Sequence, residues 1–131
     1  MEQLVPILAL EQREGEMKVI HHYTDVPAQP AEEAEGVTVR WLLTRENGAP
    51  HFAMRVFDVA SGHSTPYHSH WWEHEVFVLA GEGVVRDESG EESPLQPGSV
   101  VLIPGDEHHC FRNTGDSPFR FICLIPHPEL K

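Results

Sequence analysis

Beyond Gly36 the chain is built of short apolar runs separated by Gly, Pro, Asn and Asp, and within most runs apolar and polar positions alternate. Residues two apart on a strand project from the same side of a sheet, so this alternation predicts half-buried β-strands. The runs are Val37–Thr44, Phe52–Val59, His74–Ala80, Val84–Asp87, Ser99–Ile103, His109–Asn113 and Phe119–Ile125. No helical period is sustained anywhere. Short strands recurring every 8–12 residues or so predict an all-β domain, an antiparallel sandwich or barrel. Upstream, residues 25–36 combine prolines and acids without a large aromatic and predict an exposed acidic loop. Met17–Tyr23 predicts one strand in the arm before it. The expected division is residues 1–36 as N-terminal arm and acidic loop, and 37–131 as the barrel domain.

Parity assigns inward faces. From His68 the even positions are His68, His70, Trp72, His74, Val76, Val78 and Ala80, whereas Glu73, Glu75 and Phe77 fall on the odd face. A bulge at Trp71–Trp72 would break that register, so the link between His70 and His74 is the weakest. In the last run Arg120 is expected toward solvent, which sends Phe121 and Cys123 inward; the alternation His109, Phe111, Asn113 sends Cys110 outward.

The candidate chemistry is imidazole. His68, His70 and His74 share one parity and His109 follows downstream. Neutral imidazoles converging on one point are ligands for divalent transition metals, because each brings ring nitrogens that packing alone leaves unpartnered. The spacing of residues 62–113 resembles the two motifs of the cupin superfamily. Gly62, His68, His70 and Gly81 fall on fixed points of the first motif, and the acidic position of that motif falls on His74; counting one residue further to Glu75 spoils the distance to Gly81. Gly98, Pro104, His109 and Asn113 fit the second motif, with Asp106 in place of its middle glycine and Gly105 adjacent. The stretches His68 to Leu79 and Phe121 to Pro126 are similar to small single-domain cupins of the four-histidine, manganese-binding type.

That resemblance implies a double-stranded jelly-roll β-barrel, one divalent transition-metal ion held by His68, His70, His74 and His109, and a homodimer. Manganese is the expected ion; iron, nickel, cobalt, copper and zinc also accept imidazole. The expected pocket residues are Trp72, Phe111, Phe121 and Cys123. The implied function is a dioxygenase-like oxidoreductase acting on a small organic substrate. Two other readings stand beside it: a non-catalytic, metal-dependent ligand-binding module, and a Lewis-acid isomerase or lyase for a sugar or keto acid. No residue receives a catalytic role.

Composition narrows the partners. A formal charge of −12 in 131 residues repels nucleic acid and anionic membranes. The first ten residues have no basic region, and Pro6 interrupts their apolar stretch, so neither a signal peptide nor a span is expected and the cytoplasm is the expected compartment. Cys110 and Cys123 are expected to be reduced.

Several residues have a plain reading and a functional one. His108 competes with His109, and motif counting selects His109. His63 is either a surface histidine or a donor behind the ligands, and Glu73 and Glu75 are either rim carboxylates or acid–base groups. Trp71 and Trp72 suit a pocket floor, packing or a dimer interface equally. Cys123 is a core thiol or a thiol beside the metal. Arg40 and Arg55 either face outward with apolar stems or bind a substrate carboxylate at the barrel mouth. His21, His22, His51 and His127 are expected on the surface, and outward Phe77 and Leu79 suit a dimer contact.

Overall fold

The computed structural model describes residues 15–128. Its strands are β1 (Gln29–Pro30), β2 (Val37–Leu43), β3 (Phe52–Val59), β4 (His74–Ala80), β5 (Gly83–Arg86), β6 (Glu92–Leu95), β7 (Val100–Ile103), β8 (Cys110–Asn113) and β9 (Phe119–Pro126). They form an antiparallel six-stranded sheet, β1-β2-β3-β9-β4-β7, facing a three-stranded one, β6-β5-β8. This is the jelly-roll arrangement, with every described strand except β1 and β6 on or near a predicted run.

Period two places the core. Arg55, Phe57 and Val59 on β3 stand opposite Cys123, Phe121 and Phe119 on β9, and Val76 and Val78 of β4 continue the same inner face. Phe119, Phe121, Val76 and Val78 are essentially sealed from solvent. From the small sheet Phe111 reaches across, its ring centroid 4.7 Å from that of Phe121. A fully buried phenylalanine contributes on the order of 2–3 kcal/mol, so these rings hold the two sheets together.

Some expectations fail for local reasons. Met17–Tyr23 is not a strand; Met17 and Val19 are exposed, and the segment ends in a 3-10 turn, Tyr23–Asp25, whose first free N–H, that of Thr24, is bound by His22 Nδ1. The acidic segment is not all loop. Gln29–Pro30 pairs with β2, and Ala31 and Ala34 pack against the core. β6 was missed because Glu-Ser-Pro-Leu has neither alternation nor a Pro-free ladder; it survives at a sheet edge, where a missing N–H costs little. Cys110 does lie opposite the core, yet it is only 8% exposed, beside Arg86 and Arg112 in a small depression. His127 is buried too, donating from Nε2 to the Ala49 carbonyl at 2.7 Å. Arg120 does take the outward face, where it pairs with Asp58 at 2.8 Å.

The described part of the arm lies on its own barrel. Arg40 donates to the Val26 carbonyl, and the Tyr23 ring sits 5.5 Å from both the Arg40 and Arg120 guanidinium carbons.

Candidate metal centre

Two segments, not one strand, deliver the histidines. His68 forms an isolated antiparallel bridge with His109, with N–H to carbonyl distances of 3.1 and 2.9 Å. Both therefore stand at the edge of the small sheet. β4 begins at His74 in the large sheet, and residues 69–73 carry the chain between the two sheets. The even parity expected from His68 through His74 thus holds only from His74 onward. His70 lies in the crossing, where its carbonyl accepts the Asp106 N–H at 2.6 Å.

That crossing explains the altered second motif. Asp106 itself adopts the left-handed conformation (φ 68), which Asp tolerates better than most residues. Gly105 meets a different need, because a Cβ there would lie 2.1 Å from the Trp71 carbonyl oxygen. Asn113 closes the loop after β8: its amide donates to the Val59 and Ser117 carbonyls, and its Oδ1 accepts the Gly115 N–H.

The ring nitrogens of His68, His70 and His109 lie within 4.8 Å of one another. His74 Nε2 is 3.2 Å from His70 Nε2, the two rings being stacked with centroids 4.5 Å apart and planes within 5°. Burial, first, and the neighbouring positive groups push His70 down to about 4 and His74 to about 2. Burial likewise lowers His68 and His109. All four are therefore neutral at pH 7 with lone pairs to offer, as a metal site needs. His109 donates Nδ1–H to the Glu107 carbonyl at 2.9 Å, which leaves Nε2 as the donor atom toward the cluster. His74 Nδ1 contacts Cys123 Sγ at 3.1 Å, and Arg55 Nη2 donates to the same sulfur at 3.1 Å. Burial raises the Cys123 thiol. His68, His70 and His109 fit a divalent ion, and His74 stands beside that group rather than within it.

Beside the cluster is a cavity of about 520 Å³. Trp72, Phe111, Phe121 and Cys123 all line it, and so do Trp41, Arg55 and Phe57. Trp72 lies flat on His70, centroids 4.3 Å apart and planes within 4°. The acidic segment forms one wall through Glu32 and Glu33, the latter in a left-handed conformation (φ 58). Glu33 is near enough for its charge to oppose the lowering at His68. Glu33 was not anticipated; for Arg55 the structure favours the second of the two expected readings, a place at the cavity, in line with its parity with Ala53 and Phe57. Glu73 and Glu75 are exposed and hydrogen-bonded to each other, which holds the Glu73 carboxyl above its ordinary range. His108 is exposed beside Glu88, and His63 lies outside the cluster. Both cysteines are free thiols.

Comparison with known proteins follows the same lines. Residues 55–125 match the cupin domain family. The chain is 33% identical over 93 residues to an oxalate-binding protein of Thermotoga maritima, covering 68% of this chain and 74% of that one. It is 38% identical over 107 residues to protein SchB of Streptomyces halstedii, covering 77% of each. The structure of the polyketide cyclase RemF from Streptomyces resistomycificus superposes with a TM-score of 0.79 at 35% identity, over 85% of this chain and 80% of that one.

Proposed function

The chain belongs to the cupin family, and from that premise we propose that it is a metal-dependent enzyme in which His68, His70, His74 and His109 would hold one divalent ion and whose substrate is a small, flat organic molecule bearing a carbonyl. The observation that carries the reading is the convergence of neutral imidazoles, with no carboxylate among them, at the wall of an aromatic cavity. When bound, the ion supplies Lewis-acid polarisation of a carbonyl oxygen, undiminished by any anionic ligand. The chain's own residues do the rest. Glu107 fixes the His109 ring through its carbonyl, Trp72 holds the plane of His70, and Trp41, Phe57 and Phe121 bind a planar substrate and exclude water. Enolisation followed by ring closure or isomerisation is the reaction class, in keeping with the polyketide cyclase among the relatives.

Manganese remains the first candidate ion. The dioxygenase-like reading is the second, favoured by a cavity with room for a small oxidant and an organic molecule together. Metal analysis of the purified protein, then reloading with zinc, manganese or iron, separates these readings. Zinc-dependent deuterium exchange beside the carbonyl of aryl ketones or keto acids supports the Lewis-acid reading. O2 consumption confined to the manganese or iron forms supports the oxygenase. Ligand affinity without turnover in any form would leave a binding module.

No helix among the described residues is long and apolar enough to cross a membrane. Val100 (73%), Leu102 (60%), Phe77 (47%) and Leu79 (39%) form an exposed apolar face on β4 and β7. We read it as the contact of a homodimer, which sedimentation at micromolar concentration tests; a monomer would refute it.

A further inference from the structure

Arg55 stands on the inner face of the large sheet, opposite Trp41 on β2 and Cys123 on β9. Its guanidinium carbon is 5.2 Å from the Trp41 ring centroid and 4.8 Å from that of Phe57. A guanidinium carries five N–H donors, and a sulfur is a weak acceptor. Here Nη2 reaches the Cys123 sulfur, while Nε is sealed from solvent without a hydrogen-bond partner. Among the described residues no carboxylate lies within 4.0 Å of Arg55. Trp72, on the wall of the same cavity, carries a second buried and unpartnered donor, Nε1. Glu32 and Glu33 also line the cavity but do not pair with the guanidinium, so the cavity presents a partly desolvated cation and orphan donors between aromatic planes that an occupant bringing acceptors would satisfy.

We propose that Arg55 is the specificity-determining residue of this cavity and that it binds the anionic oxygens of a planar, aromatic or polyenolic acid or enolate. The guanidinium is a planar fork that matches two such oxygens, and the rings of Trp41 and Phe57 already hold that plane. Cys123 links Arg55 to His74 through two contacts of 3.1 Å, so the anion is anchored beside the histidine centre and the rest of the planar frame reaches it. The recognition of an anion depends on Arg55 alone; only the second anchor, at the histidines, rests on the metal reading above.

The test uses 1-hydroxy-2-naphthoate and its neutral amide as probes, titrated calorimetrically into wild type, Arg55→Met and Arg55→Lys, each with and without added manganese. Wild type is expected to prefer the acid. Arg55→Met should weaken acid binding by about 10- to 100-fold, the scale of a lost charged hydrogen bond, and change amide binding by less than about threefold. Arg55→Lys should recover only part of the loss, because an ammonium is not a fork. The metal content of the variants should be unchanged. Equal affinity of wild type for acid and amide, failure of wild type to bind the acid at millimolar concentration, or acid binding undiminished in either variant would overturn the proposal. If Arg55→Met does not fold, the wild-type acid–amide comparison and Arg55→Lys decide. If the protein takes up no metal, the acid preference of wild type still reports on Arg55, so the two readings fail separately.

Discussion

Lowering the pH of the metal-free protein should destabilise it from about pH 6.5 downward, with His74 as the largest single contributor. His74 is 7% exposed, and burial, followed by the Arg55 charge and the other histidines, pushes its pKa to about 2, whereas an unfolded chain protonates near the ordinary value of 6.5. The folded state thus binds fewer protons than the unfolded state between those values, and stability falls as pH falls. The stabilisation is complete above pH 6.5 and is lost progressively toward pH 2. At pH 4 the difference spans 2.5 pH units below the unfolded value, which at 1.36 kcal/mol each is about 3 kcal/mol. His70, held at about 4, acts in the same direction over pH 6.5 to 4, by less because solvent reaches its ring. Against a usual total of about 5–15 kcal/mol this is a large share. Urea unfolding of chelator-treated protein from pH 7.5 to 4, compared with His74→Leu, measures it. A ligand that binds only the folded state at one hundred times its Kd adds about 2.7 kcal/mol, so metal should lift the curve most near neutrality and lose its grip in acid. Flat stability between pH 6.5 and 5, or the same pH slope in wild type and His74→Leu, would refute the reasoning.

Other expectations follow from single contacts. His109→Ala should abolish stoichiometric metal binding while His108→Ala leaves it intact, as measured by metal analysis after dialysis, because only His109 turns a free ring nitrogen toward His68 and His70. Asn113→Ala should cost about 2–4 kcal/mol in urea unfolding, since it leaves the buried Val59 carbonyl and the Gly115 N–H without their partner, yet the folded fraction should still bind metal. Gly105→Ala should cost about 1–3 kcal/mol and weaken metal binding as well, because the added methyl group displaces the Trp71 carbonyl and with it the crossing that carries His70.

The strands were legible where one face is buried and the other wet, as in β3, β4 and β9, because alternation is then enforced by packing. It failed where that pressure is missing. Met17–Tyr23 alternates but is not a strand, β6 pairs through its backbone with only Leu95 buried, and Cys110 is buried beside Arg86 and Arg112 in a depression that no local pattern announces. Spacing singled out His68, His70 and His109, whose ring nitrogens do come together, and His74, which opens β4 beside His70. What spacing hid is that the His68 and His74 segments belong to different sheets. For Arg55 the sequence left an outward place and a place at the barrel mouth side by side, and only its aromatic cage and its missing carboxylate separate the two.

That missing carboxylate connects His74 with Arg55. After burial, the Arg55 charge is the largest influence on His74, so position 74 is within electrical reach of the guanidinium. A glutamate there would give Arg55 an internal counter-ion at low effective dielectric and would leave less positive charge for a ligand. Histidine at 74 keeps the position neutral and leaves Arg55 to the cavity. His74→Glu should therefore reduce the preference for 1-hydroxy-2-naphthoate over its amide by about tenfold even with Arg55 intact, the scale of one satisfied charged contact. The calorimetric titration that measures it should also show metal retained, because a carboxylate replaces the lost imidazole as ligand. An acid preference equal to that of wild type in metal-loaded His74→Glu would show that Arg55 and position 74 do not compete for the same charge.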